Sequence, residues 1–315
     1  MIAKLRHIDF NQQPVKIEVY SVTQEQPHYH QDNVLEILLC LDGSVDIRSY
    51  FMKFRKDSGD ITSFDYMDIH TAKSHGQNLL VSYYFDLAHP AFGKISERFH
   101  FFDCDKTDST SFAKLKELRQ LLLIILAINT MPDDLMDHRE KQIKQESVAC
   151  KIIKLMEDSF ISIGVDLDFS EYPDALKERF GQLLLYIDNH QQERLTIKQL
   201  GDVIHVNPDY LSQLFRQIIT GGFRQYMYMM KLYWAHFTLL TNDSVNLFDL
   251  AMDAGFSSTK IFYREFKYHV LTTPHQHVME YRRYAAQCQP NRYFTENLTE
   301  LLYNKVLLYL INNYS

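Results

Sequence analysis

Apolar and polar positions change their period twice along this chain. From Val15 to about Asp86 the residues read as short strands, with β-branched and aromatic runs over 34–41, 45–50 and 79–85 cut by turn signals. Asp42-Gly43 falls between two of these runs, where an Asp-Gly pair supplies the positive φ angles of a tight hairpin, and Gly59-Asp60 and His75-Gly76 punctuate further on. Strands at this spacing predict a small barrel or jelly roll. After Thr107 the period becomes that of a helix, over 112–129 and again over 141–160, with Met131-Pro132-Asp133-Asp134 as the break. Leu115, Leu118, Leu122, Ile125 and Leu126 form one apolar stripe, and Val148, Ile152, Leu155 and Met156 another. Such stripes either cover the barrel or pair with a second subunit. Residues 164–173 are acidic and non-periodic and read as a linker.

From Ala175 onward the chain reads as almost entirely helical and carries a degenerate repeat, LTIKQLGDVIHVNPDYLSQLFRQ followed about fifty residues later by VNLFDLAMDAGFSSTKIFYREFK. In the first copy Thr196 and Gln199 form a capping box, with Ile197, Leu200 and Val203 or Ile204 facing inward. His205 and Val206 make the turn. Asn207 caps a second helix with Pro208 at its first position, and Leu211, Leu214 and Phe215 bury its inner face. In the second copy Asn246 and Asp249 open the first helix, Gly255 makes the turn, Ser257 caps, and Ile261, Phe262 and Phe266 go inward. Two short helices joined by a tight turn are a helix-turn-helix, whose second helix fits the DNA major groove. The outward residues are the candidate readers: Asn207, Asp209, Tyr210, Gln213, Arg216 and Gln217 in one copy, Thr259, Lys260, Tyr263, Arg264 and Lys267 in the other. Between the copies, 223–240 reads as one helix with Tyr226, Met230, Trp234 and Phe237 on its buried face. This rod would set the two readers about one helical turn of DNA apart, near 34 Å.

Composition fits this organisation. The 315 residues allow two domains, and 46% apolar with 23% charged residues is a globular profile. The net charge of -7 argues against nucleic acid until its distribution is considered: 194–292 carries +4 and the remainder -11. Four cysteines stand far apart without a C-x-x-C pair, which fits a reducing compartment and neither a disulfide framework nor a zinc knuckle. Residues 1–10 lack the apolar core of a signal peptide, and the most apolar run, 121–128, is far short of a membrane span. A cytoplasmic protein without a membrane partner is expected. No Gly-rich phosphate loop, G-x-S-x-G elbow or H-E-x-x-H motif is present.

With these motifs in place, residues 175–284 resemble the DNA-binding domain of the arabinose-regulator (AraC-type) family of bacterial transcription factors. DLAMDAGFSSTKIFYREFK matches the family's small-residue helix, Gly-Phe-Ser turn and aromatic-basic recognition helix, and Thr273-Pro274 follows as the family pattern requires. Two positions depart from it: His205 stands where Gly is common in the first turn, and Leu271 replaces a common Gly before Thr-Pro. Histidine tolerates positive φ better than most residues. The second departure bears on how the last recognition helix ends.

The segment PHYHQDNVLEILLCLDGSVDI resembles the first strand pair of a cupin barrel, with His28 and His30 on one strand face and Glu36 following. In cupin enzymes the corresponding His-x-His, Glu and a later His, here His70, bind a transition metal. In regulators built this way the resemblance instead implies a ligand pocket without metal. The reading adopted is the latter, with no metal and no cofactor. Tyr20, His28, Tyr29, His30, Glu36 and His70 are then candidates for binding a small effector, a sugar or related metabolite.

The fold expected is α+β: a cupin-like barrel over 1–105, a helical packing or dimerisation region over 106–163, a linker over 164–173, a double helix-turn-helix domain over 174–290, and a helical extension over 291–315. That tail is expected to dock on its own domain, contact with another subunit being the alternative. The whole reads as a sequence-specific transcription regulator rather than an enzyme. Double-stranded DNA, a small effector and a second copy of the chain would be its partners, with RNA polymerase added for an activator. A metal-dependent cupin enzyme with an accessory helical domain is the competing reading, and a barrel serving as a platform for protein partners is a third.

Overall fold

The computed structural model describes residues 1–65, 67–93, 102–104, 109–160, 173–190, 193, 195–218, 222–294 and 306. They group into two compact units, one formed by residues 5–93, 102–160 and those from 288 onward, the other by 1–4 and 173–287. The proposed linker, apart from Pro173, lies outside the described residues.

The first unit is a curled half-barrel sheet covered by two helices. Its strands are β1 (Lys4–Leu5), β2 (Val15–Ser21), β3 (His28–Tyr29), β4 (Val34–Ser49), β5 (Met52–Asp57), β6 (Ile61–Phe64), β7 (His70–Asp86) and β8 (Arg292–Tyr293). They run in the order β1-β3-β7-β2-β8, and β4 lies against β7 while also pairing β5 and β6. The expected hairpin at Asp42-Gly43 is not formed: β4 runs through it, and the register against β7 slips between Cys40 and Asp42 and again between Gly43 and Val45. Gly43 does adopt positive φ, at 79°, but the angle serves a bulge. The tight turn is instead Tyr50-Phe51, since Ser49 pairs with Met52. His75-Gly76 likewise lies inside β7, whereas Gly59 turns the chain between β5 and β6 as expected.

Side-chain alternation gives the sheet two buried faces. Leu35, Ile37 and Leu39 of β4 and Val81, Tyr83 and Phe85 of β7 point to α1 (Ser109–Thr130) and α2 (His138–Ser159). α2 begins where Asp137 accepts a hydrogen bond from the Glu140 N–H, just past the predicted break. Leu118, Leu122, Ile125 and Leu126 are at 0% exposure within this core. Each such side chain contributes about 2 kcal/mol on burial, so the stripe is taken up by its own sheet. The Tyr83 hydroxyl donates to the Leu122 carbonyl at 2.9 Å and fixes α1 to the strand. The other face gathers Tyr20, Leu38, Cys40, Val45, Ile47, Phe64 and Leu80.

The tail departs from expectation. Its first described residues form a strand, with Tyr293 paired to Tyr20 and Arg292 to Ser21, and Phe294 and Val306 pack into the sheet core. The open backbone edge of β2 accounts for this, because an edge strand is completed by any extended segment that reaches it. The rest of the predicted tail helix lies outside the described residues.

The second unit is a bundle of α3 (Asp174–Asn189), α4 (Ile197–Val203), α5 (Pro208–Ile218), α6 (Gly222–Thr241), α7 (Leu247–Asp253), α8 (Thr259–Val270) and α9 (Pro274–Ala285). α6 runs through its centre and is buried more widely than a single stripe: Leu232, Tyr233, Ala235, Leu239 and Leu240 join Tyr226 and Met230, while Trp234 and Phe237 are only half-buried. A central helix packed by α5 on one side and by α7, α8 and α9 on others has no free face to keep polar. At the chain start, the Ile2 and Ala3 N–H groups donate to the Leu240 carbonyl.

Candidate functional site

The two helix-turn-helix pairs form from local rules. Thr196 and Gln199 make the full capping box that starts α4. Leu200 is fully buried, Ile204 turns inward and Val203 is left exposed. His205 takes φ 55°, in the left-handed region that favours glycine. Close packing follows at Gly201, where an added Cβ would sit 2.7 Å from the Val206 carbonyl oxygen. The Asn207 side chain accepts from the Asp209 N–H at 2.7 Å, and Leu211, Leu214 and Phe215 bury the inner face of α5. Asn207, Asp209, Tyr210, Gln213, Arg216 and Gln217 all stand exposed.

In the second pair Asn246 caps α7, and Gly255 turns the chain at φ 76°. The cap of α8 is Ser258, accepting from the Ile261 N–H, and not its neighbour Ser257. Phe262 and Phe266 are fully buried, whereas Ile261 is half-buried. Lys260, Tyr263, Arg264 and Lys267 are exposed and Thr259 is half-buried. The Arg264 guanidinium donates twice to the Glu265 carboxylate, at 2.6 and 2.9 Å, which orients it along the helix surface. Lys231 carries no motif or spacing signal, yet this buried α6 ammonium donates to the Gly255 carbonyl at 2.6 Å and ties the turn to the central helix.

Leu271 ends α8 in the left-handed conformation, φ 62°, with 82% of its surface exposed. A non-glycine residue there costs roughly 1 kcal/mol or more, and an exposed side chain returns little burial. Leu271→Gly is therefore expected to raise the unfolding free energy by about 1 kcal/mol, read by denaturant titration. A loss of stability would show that the leucine makes contacts outweighing its strain.

On the concave face of the sheet a second constellation assembles. Period-two alternation puts Glu36 of β4 and Ser82 and Tyr84 of β7 on one face with Tyr20 of β2. His28 pairs with His70 across β3 and β7. His28, His30, Glu36 and His70 are all at most 5% exposed, and one ligand atom from each lies within 4.8 Å of all the others. His30 Nε2 lies 2.7 Å and His70 Nε2 3.0 Å from the same oxygen, Glu36 Oε2. The Ser82 hydroxyl donates to Glu36 Oε1 at 2.5 Å and is itself 2.9 Å from the Tyr20 hydroxyl. Tyr20 thus reaches the cluster through one hydroxyl, whereas Tyr29, half-buried, falls on the other side of its strand from His28 and His30.

Burial would push the Glu36 carboxyl up, but His70 and His30 beside it hold it well below the usual carboxylate range. Burial works against a charged His70, yet the Glu36 charge raises its pKa. Burial and the neighbouring histidines push His28 well down. Beside the cluster, Arg6 pairs with Glu18 and stands over the Tyr84 and Tyr20 rings at 5.5 and 5.9 Å, while Asn291 donates to Glu25. Arg6, Glu25, Ser82 and Tyr84 carry no spacing signal. The one hint was Ser82, a lone small polar residue inside the apolar run LLVSYYF.

Among known proteins, no family model matches this chain. An uncharacterized HTH-type transcriptional regulator of Staphylococcus aureus is 21% identical over 259 residues, 81% of this chain and 33% of the relative. The melibiose operon regulatory protein of Escherichia coli K12 is 27% identical over 106 residues, 34% of this chain and 33% of that protein. The chain thus spans about a third of the length of these curated relatives. The crystal structure of ToxT from Vibrio cholerae is similar over 84% of this chain and 97% of its own, at 11% identity and a TM-score of 0.40. Both curated relatives are named as regulators. No described helix is long and apolar enough to cross a membrane.

Proposed function

We propose that the chain is an AraC-type regulator, with an N-terminal barrel-like domain and a C-terminal helix-turn-helix domain, which binds specific double-stranded DNA and regulates transcription in response to a small ligand. The observation that carries this reading is the pair of capped helix-turn-helix units with polar and basic outer faces on α5 and α8. In this reading α5 and α8 enter successive major-groove segments about 34 Å apart, Gln213 reads a base edge, and Arg216, Lys260, Arg264 and Lys267 neutralise phosphates.

The half-barrel sheet is in this proposal a cupin-like jelly roll, and its concave face, with His28, His30, Glu36, His70 and Tyr20, is the ligand site. Ligand binding alters DNA affinity only as far as it favours one of two states of the protein. Residues 292–293 are paired with β2 beside Tyr20, within the same unit as this site. The protein acts in the cytoplasm as a homodimer.

An unbiased selection from random double-stranded DNA with the full chain, followed by fluorescence anisotropy against salt, tests the proposal. A selected site with two half-elements one turn apart and a steep salt slope is the expected result. Failure of the folded chain to enrich any sequence would overturn it.

A further inference from the structure

We infer that His28, His30, Glu36 and His70 together hold one divalent first-row transition-metal ion. This departs from the metal-free pocket expected above, and the reason is the direction in which the three rings are held. Each imidazole has its Nδ1 within hydrogen-bonding distance of a backbone carbonyl: His28 on Gln26 at 3.0 Å, His30 on Arg6 at 3.2 Å and His70 on Asp68 at 2.8 Å. A carbonyl can only accept, so each Nδ1 carries the proton. Each neutral ring then turns an Nε2 lone pair away from that carbonyl.

Those lone pairs meet a group that is also an acceptor. The Nε2 atoms of His30 and His70 both face Glu36 Oε2, and His28 Nε2 is buried with no hydrogen-bond partner. Protons alone satisfy this poorly. Bridging both contacts would take two imidazolium rings with centroids 5.4 Å apart in a buried site sharing one carboxylate oxygen, and His28 Nε2 would still be unpaired. A single cation at the centre satisfies all four ligand atoms at once.

The surroundings have the features a metal site requires. Histidine ligands are oriented through the other ring nitrogen, as the three carbonyls do here. Glu36 is held from behind by Ser82, which leaves Oε2 free to turn inward as a single-oxygen ligand. A spread of 4.8 Å needs only a small contraction, because ligands about 2.1 Å from a metal lie up to roughly 4.2 Å from one another. Three nitrogens, one carboxylate oxygen and no thiolate suit zinc, manganese, iron, cobalt or nickel in the divalent state and disfavour cuprous ion. Three neutral ligands and one anion leave a net charge of +1 on a divalent centre, which would favour an anionic oxygen donor as a further ligand.

The test is metal uptake by the full chain, freed of metal with chelator and then offered each divalent ion in turn. Bound metal is measured by mass spectrometry after gel filtration, and cobalt(II) is followed by its visible absorption. One ion per chain is expected, with visible cobalt bands. Folding of each variant is checked by circular dichroism. His30→Ala and Glu36→Gln should lower affinity more than 10-fold, and Ser82→Ala, acting through Glu36, by about 10-fold or more. His75→Ala removes an exposed histidine paired with Asp46 and should leave uptake unchanged. No uptake of any offered ion by the folded wild-type chain would overturn the inference, whether or not the variants fold. Undiminished affinity in folded His30→Ala would overturn it equally. DNA selection by the same preparation is independent of this result, so the metal site and the regulatory role stand or fall separately.

Discussion

Replacing Gly43 by alanine is expected to lower the melting temperature of the sheet unit by about 10 °C, the sum of two costs that together reach about 3 kcal/mol. One is conformational: φ is 79° there, and a side chain in that region costs roughly 1 kcal/mol. The other is steric. An added Cβ would lie 2.1 Å from the Gln77 carbonyl oxygen and 3.0 Å from the Asn78 Cα. Both are backbone atoms of the paired strand, so they yield only by moving β7, at an overpacking cost of about 2 kcal/mol. Calorimetry of the Gly43→Ala variant measures the loss, and an unchanged melting temperature would mean that the strands do not approach as described.

Gly43 also shows why the sheet was only partly legible. Asp-Gly between two β-rich runs is the local signature of a tight hairpin, and the backbone angle it announces is present. Whether that angle reverses the chain or kinks it depends on the partner strand, and β7 lies some thirty residues away in sequence. The true turn, Tyr50-Phe51, carries no turn residues at all; it is fixed by the β4 and β5 register. Long-range pairing overrode local chemistry in both places. The tail misled in the same way, since nothing in residues 291–294 announces an unfilled edge on β2.

In the helical unit the determinants are local and were readable. Thr196 with Gln199, Asn207 before Pro208, Asn246 and Gly255 act within a few residues of themselves. The cap falls at Ser258 and not Ser257 because adjacent serines offer the same chemistry, and only backbone geometry chooses between them. The histidine cluster is intermediate. Its His-x-His spacing and following glutamate were visible along the chain, whereas the carbonyls that hold each ring, and Ser82 behind Glu36, belong to folded geometry.

Lys267→Ala and Gln213→Ala should injure DNA binding in different ways. Lys267 is an exposed ammonium in the last turn of α8, with the length and charge to reach a phosphate. Its loss should weaken binding to all sequences alike and flatten the plot of log affinity against log salt by about one unit, because one fewer counterion is released. Gln213 is uncharged and exposed on α5. Its loss should leave the salt slope alone and relax preference at one base position, by roughly 1–3 kcal/mol or about 5- to 150-fold. Anisotropy over a salt series and a repeated selection measure the two effects on the same proteins. An unchanged slope in Lys267→Ala removes that residue from the phosphate contacts, and an unchanged preference in Gln213→Ala removes α5 position 213 from the base readers. The opposite pattern, a sequence effect from the lysine and a salt effect from the glutamine, would mean that the helices meet the groove in another orientation.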